Sequence, residues 1–204
     1  MTHLYSQEFY AWAYGDLFTN TTRGVLAEYI VATALGICDT KRVEWNQYDL
    51  EIDGAESEGA ESDRAETDGA ETDGAQAEKK RVGIEVKSAA YVQAWKQDRP
   101  SEIVFSIRRA QGWDERTNTT ADSATRSAAV YVFCVLEGKV KKSIDPLDVS
   151  HWTFYVVPTA VLESEVPTRK TIGLARLKQL AEVPRTYDQL KDAIYEAAAE
   201  NQRG

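Results

Sequence analysis

Two carboxylates and one ammonium stand at spacings that suit phosphodiester chemistry. Glu85 and Lys87 flank Val86 in the string GIEVKS. The period of two along an extended strand sets both side chains on one face. Upstream, Asp49 lies in QYDLEI, on a segment that antiparallel pairing could bring beside them. Cleaving a phosphodiester needs a cation that neutralises developing charge and supplies hydroxide near neutral pH. Hard cations such as Mg²⁺ or Mn²⁺ take carboxylate and carbonyl oxygens. Asp49 and Glu85 are the candidate ligands, with the backbone carbonyl of Val86 as a third. Lys87 is placed to orient the attacking water or to stabilise the pentavalent phosphate.

The elements that would position these residues are readable in outline. Tyr48, Leu50 and Ile52 alternate with Asp49, Glu51 and Asp53, while Val82, Ile84 and Val86 alternate with Gly83, Glu85 and Lys87. Two half-buried strands of a hairpin follow. Between them, residues 54–78 repeat with a period of five (GAESE, GAESD, RAETD, GAETD, GAQAE) and carry no large apolar side chain. Such a stretch cannot offset the entropy of ordering, so it reads as a disordered, solvated insertion in the hairpin of a single domain, 1–204. A helix is expected over residues 22–36, with Thr21 or Thr22 as N-cap and Gly36 as the stop. Its stripe of Val25, Glu28, Ala32 and Leu35 puts a glutamate on or beside the buried face. Residues 5–18 hold enough aromatics for a covering helix or arm. A helix over about 91–97 stops before Pro100, and strands are expected at 103–107, 129–136 and 152–157. The tail from residue 174 reads as helical, with Thr186 and Gln189 as a capping box.

The order of a helix carrying Glu28, a strand with Asp49, the Glu85-Val86-Lys87 strand and a following helix resembles the PD-(D/E)xK superfamily of restriction-like nucleases. The strings RGVLAEYIVATALG, EWNQYDLEI and GIEVKSAAYVQAW are similar to those of a group of bacterial proteins with this core, over residues 22–97. Asp49 takes the place of the family's first aspartate, and Glu85 and Lys87 that of its (D/E)xK. Tyr48 stands where the nominal proline would be, and the repeat lengthens the gap between the half-motifs. The resemblance implies an α/β restriction endonuclease-like core with a central mixed β-sheet flanked by helices. It implies Mg²⁺- or Mn²⁺-dependent cleavage of nucleic acid, DNA above all, and a role for Glu28 in holding the metal or water. Many enzymes of this kind pair, so a homodimer is a further expectation. Ser88 and Gln93 are weaker candidates for lining the site. A catalytically idle module that binds DNA or a protein partner is the alternative.

Composition restricts the partners. The formal charge is −9, which argues against binding a polyanion. Residues 53–78 hold ten acids against one base, Arg64, and so account for the whole of that charge. Elsewhere the chain is neutral overall, which leaves room for local basic patches. Arg108, Arg109 and Arg116, around a polar loop, are candidates for phosphate contact. The five tryptophans read as core or interface aromatics. Cys38 and Cys134 sit in apolar segments and read as small buried side chains rather than a disulfide or zinc site. His3 and His151 are too isolated for a histidine nuclease, and neither GxxxxGK[ST] nor GxGxxG occurs. No run is apolar enough to span a bilayer and no basic leader is present, so no membrane association and a cytoplasmic setting are expected.

Overall fold

The computed structural model describes residues 4–39, 41–43, 46–54, 81–114 and 117–203. In chain order its elements are α1 (Ser6–Tyr14), α2 (Asn20–Leu35), β1 (Leu50–Asp53), β2 (Arg81–Ala90), β3 (Val104–Ser106), β4 (Trp113–Asp114), β5 (Thr119–Thr120), β6 (Val130–Leu136), β7 (Trp152–Pro158), α3 (Thr159–Glu165), β8 (Thr171–Gly173), α4 (Leu174–Leu180) and α5 (Leu190–Asn201).

The principal sheet has the order β1-β2-β6-β7. β1 is antiparallel to β2, β2 parallel to β6, and β6 antiparallel to β7, so the sheet is mixed. β6 reads VYVFCVL and is buried throughout. An unbroken apolar run is what a central strand covered on both faces requires. On one face, Leu26, Ile30, Val31 and Leu35 of α2 and Leu190 and Ile194 of α5 pack on Ile84, Val86, Val130, Val132 and Phe154. On the other, Tyr131, Phe133 and Val135 meet Phe105 of β3, Ile172 of β8, Leu162 of α3 and Leu177 of α4. Full burial of one such side chain contributes about 1.5–3 kcal/mol. α2 is thereby held against the hairpin that carries the candidate site.

Local chemistry explains where the helices begin and end. The Thr19 side chain accepts the Thr22 N–H at 3.2 Å and so caps α2, in place of the expected Thr21 or Thr22. Gly36 closes the helix in the left-handed conformation, φ 75°, which glycine adopts without a Cβ penalty. At the start of the last helix, Thr186 and Gln189 form the expected capping box.

Residues 91–97 are not the expected helix. The Gln93 N–H donates to Gln97 Oε1 at 2.7 Å, the Ser101 N–H donates to Tyr91 O at 2.8 Å, and Gln97 Nε2 donates to Ser101 Oγ at 2.9 Å. The Gln93 N–H thus goes to a side-chain amide, and the Gln93 and Gln97 amides donate to Ala90 O and Tyr91 O at 2.9 and 3.4 Å, backbone groups that a helix would have used. The connection from β2 to its parallel neighbour β6 is therefore made of loops and short strands, unlike the helix that the resemblance implies at this point. α1 is formed, but all its residues are exposed, so it is an arm rather than a cover. Cys134 is buried as expected, whereas Cys38, just past the end of α2, is exposed. Trp152 is buried and Trp113 half-buried, but Trp12 and Trp95 project into solvent. Trp45 and the insertion beyond Gly54 lie outside the described residues. Among the described residues no helix is long and apolar enough to cross a membrane.

Candidate functional site

β1 has four residues and β2 ten, so the hairpin partner ends while β2 continues. Leu50 is opposite Ile84, which sets Asp49 one step further on, level with Glu85. The Asp49 N–H still donates to Ile84 O at 3.0 Å. Past that point its side chain takes over from the strand, and Asp49 Oδ2 accepts the Val86 N–H at 2.7 Å. Within a strand the N–H and C=O of one residue face the same edge. The Val86 carbonyl is thus directed to the edge at which Asp49 stands.

Strand parity gives Glu85 and Lys87 to the opposite face from Val86, whose side chain is in the core under α2. Their side chains are 21% and 29% exposed, and Lys87 Nζ donates to Glu85 Oε1. The hairpin therefore brings Asp49, Glu85, the Val86 backbone and Lys87 together, as the sequence predicts. Glu28 approaches from α2. It is buried, and Arg42 binds it with both ends of its fork, Nε to Oε2 and Nη2 to Oε1 at 3.0 Å. The cation paired with this glutamate is Arg42, from the loop after α2. Arg23 donates to Phe18 O, Gln93 and Asn20.

Electrostatics ties the three acids together. Burial raises the Glu85 carboxyl above the usual carboxylate range, and the charges of Asp49 and Glu28 act in the same direction, opposed by Lys87. Burial likewise raises Glu28; Arg42 opposes this and the Asp49 charge adds to it. Three carboxylates share two cations, Arg42 and Lys87, and no ion pair to Asp49 occurs among the described residues. The arrangement holds negative charge in a partly desolvated place, which favours a proton or a metal cation. No group of three or more His, Cys, Asp or Glu side chains among the described residues forms a ready-made metal cage. A donor set of Asp49, Glu85 and the Val86 carbonyl is instead the sparse, oxygen-only kind that suits Mg²⁺, which keeps several waters.

A cleft of about 300 Å³ opens beside this group. Glu28, Asp49, Lys41 and Arg42 line it together with apolar groups from α2 and residues 37–51, giving solvent a route to Asp49. Tyr131, directly opposite Glu85 on β6, is buried, and burial with the Glu85 charge raises its phenol well above the usual range. Sequence reasoning misses Tyr131 and Arg42, since one follows from the β2–β6 register and the other from a loop contact.

Other candidates lie elsewhere. Ser88 has the parity of Val86 and so points to the opposite face from Glu85 and Lys87. Gln93 is buried and donates to Ala90 O at 2.9 Å, supporting the loop after β2. Arg109 is bound to Glu163 of α3, Arg108 is exposed, and Arg116 lies outside the described residues. The chain matches no known protein-family model, no curated protein and no solved structure.

Proposed function

We propose that the protein is a divalent-metal-dependent nuclease that hydrolyses phosphodiester bonds, with DNA as the preferred substrate, and that its core is of the restriction endonuclease-like kind. One observation carries this reading: Asp49 stands level with Glu85 where β1 ends, bound to the backbone of Val86, with Lys87 on Glu85. Asp49, Glu85 and the Val86 carbonyl would hold Mg²⁺ or Mn²⁺. The chemistry a bound cation supplies there is charge neutralisation at phosphate and a lowered pKa of water.

The protein's own groups do the rest. Lys87, held by Glu85, has an ammonium at the side of the site where it can donate to a phosphate oxygen or to the attacking water. Glu28, with its raised proton affinity, supports the site from α2 and can receive a proton when Arg42 is drawn away by phosphate. The half-buried setting of Glu85 and Lys87 strengthens these interactions relative to bulk water.

A second reading has its own support. Lys87 and Arg42 already neutralise two of the three acids, as they would in an idle module that binds DNA or a protein without cutting. Incubation with supercoiled plasmid and labelled single strands in Mg²⁺, Mn²⁺ or EDTA separates the two, with Glu85→Ala as the control. The nuclease reading requires cleavage that needs metal and is lost in Glu85→Ala. Binding without cleavage in either metal supports the idle module.

A further inference from the structure

The loop that replaces the expected helix after β2 builds a second cleft, of about 340 Å³, against the turn that follows β6. Its walls carry Lys96, Arg99, Lys139 and Lys141, with Asp98 as the one acid among its lining residues and Trp95 beside them. Trp95 is 58% exposed and forms part of the cleft wall, so its ring is open to a ligand there. Lys142 is exposed on the same turn. None of the five cations is ion-paired with a described residue, and Glu102 beside Arg99 and Glu137 near Tyr91 leave cations in excess.

Two of the cations are held in place by their neighbours. Lys141 Nζ donates to Ala94 O at 3.2 Å and lies 4.7 Å from the centre of the Phe18 ring. Lys139 Nζ stands 5.7 Å from the Tyr91 ring. Beneath them, buried Arg23 donates to Gln93 at 3.2 Å, pairs with no carboxylate and leaves its Nε unpartnered. Its uncompensated charge adds to the positive field. Tyr91 directly follows the end of β2, four residues beyond Lys87 and so no more than about 13 Å from it.

We propose that this cleft binds single-stranded polynucleotide, with Trp95 stacked on an unpaired base and Lys96, Arg99, Lys139 and Lys141 contacting phosphates. A cationic groove with an exposed aromatic suits that ligand, because every base has a face to stack and the backbone charge is continuous. A duplex offers no free base face to Trp95. The proposal rests on the nuclease reading only for its place: a strand seated here runs towards Lys87 and Glu85.

The test is fluorescence and anisotropy titration of the whole protein in EDTA with labelled oligo(dT), its oligo(dT)·oligo(dA) duplex, and polyglutamate. Oligo(dT) should quench tryptophan emission, and Trp95→Ala should remove most of that quenching and weaken binding about tenfold. Lys96→Ala with Arg99→Ala should lower the slope of log K against log salt by about 1.4. Trp95→Ala should leave duplex binding unchanged. Wild-type affinity and slope in both variants, with melting temperatures intact, would overturn the proposal. Equal losses with duplex or polyglutamate would overturn it too, by reducing the cleft to a general cation patch. Binding here without cleavage in Mg²⁺ upholds the cleft and removes the nuclease. Cleavage with unaltered binding by the cleft variants does the reverse.

Discussion

Gly83 offers a way to move the site without touching it. A Cβ built at this position would lie 2.4 Å from Cδ1 of Tyr48 and 2.7 Å from two other atoms of the same ring. Ordinary contact begins near 3.4 Å, so in Gly83→Ala the ring must retreat by about 1 Å. Tyr48 cannot swing away freely, since its hydroxyl donates to Glu51 and its backbone runs directly into Asp49. Overpacking of this kind costs about 1–3 kcal/mol. Alanine returns about 0.4–1 kcal/mol through the unfolded chain, which leaves a net loss near 1 kcal/mol. For a chain of this size each 1 kcal/mol lowers Tm by about 2–4 °C. Displacing a ligand by about 1 Å can cost 10²-fold in rate. Gly83→Ala should therefore stay folded, melt a few degrees lower and cleave far more slowly. Calorimetry and a plasmid-nicking assay read the two effects. Adding Tyr48→Ala should make the Gly83→Ala change nearly free in stability, as expected of two residues in direct contact. Wild-type Tm and rate in Gly83→Ala would refute the seating of Tyr48 on Gly83 and the hairpin register with it.

Four other perturbations probe the site and the insertion beside it. Burial raises the folded-state proton affinity of Glu85 and Glu28, so their contribution to stability is full below the ordinary glutamate range and is lost as pH rises through the raised values. Metal-free Glu85→Gln should therefore gain stability relative to wild type as pH rises to neutrality, and the Tm increment from Mg²⁺ in wild type should grow over the same window; opposite slopes in calorimetry would refute this. Arg42→Gln removes the cation on Glu28 and should tighten Mn²⁺ binding while lowering metal-free Tm, whereas Glu28→Gln should slow cleavage without large destabilisation. Replacing residues 54–78 by an Asn-Gly turn removes nearly all of the −9 formal charge and costs no stability, since loop closure entropy changes by only about 0.6 kcal/mol per doubling. At saturating metal the shortened protein should bind nucleic acid more tightly, by a margin that shrinks with salt, and equal affinity at low salt would make the repeat an inert spacer.

The parts of the fold legible in the sequence are those where one strong local pattern meets one burial environment. Alternation in residues 48–53 and 82–87 yields the hairpin, and the apolar run of β6 and the αL glycine at position 36 yield their elements directly. The Asp49–Glu85–Lys87 group is legible for the same reason, because a period of two and one antiparallel pairing suffice to assemble it. Residues 91–97 mislead, since Gln93 and Gln97 satisfy the backbone through their side chains and hydropathy carries no trace of that choice. Arg42 and Tyr131 are invisible for another reason. Tyr131 reaches the site through the register between two strands far apart in the chain, and Arg42 through the path of an irregular loop, neither of which a single sequence settles. The cationic cleft is hidden likewise, because residues 95–99 and 139–142 become one surface only when the strand ends that carry them are set side by side.

The claim that the hairpin edge holds a divalent cation is tested most directly by Mn²⁺ titration, followed by calorimetry and by electron paramagnetic resonance, on wild type, Asp49→Asn, Glu85→Gln and Ser88→Ala at neutral pH. One saturable site in wild type and Ser88→Ala, lost in both carboxylate variants while their folds persist, is the predicted result. Unchanged Mn²⁺ affinity in Asp49→Asn or Glu85→Gln, or no saturable site in wild type, would contradict it.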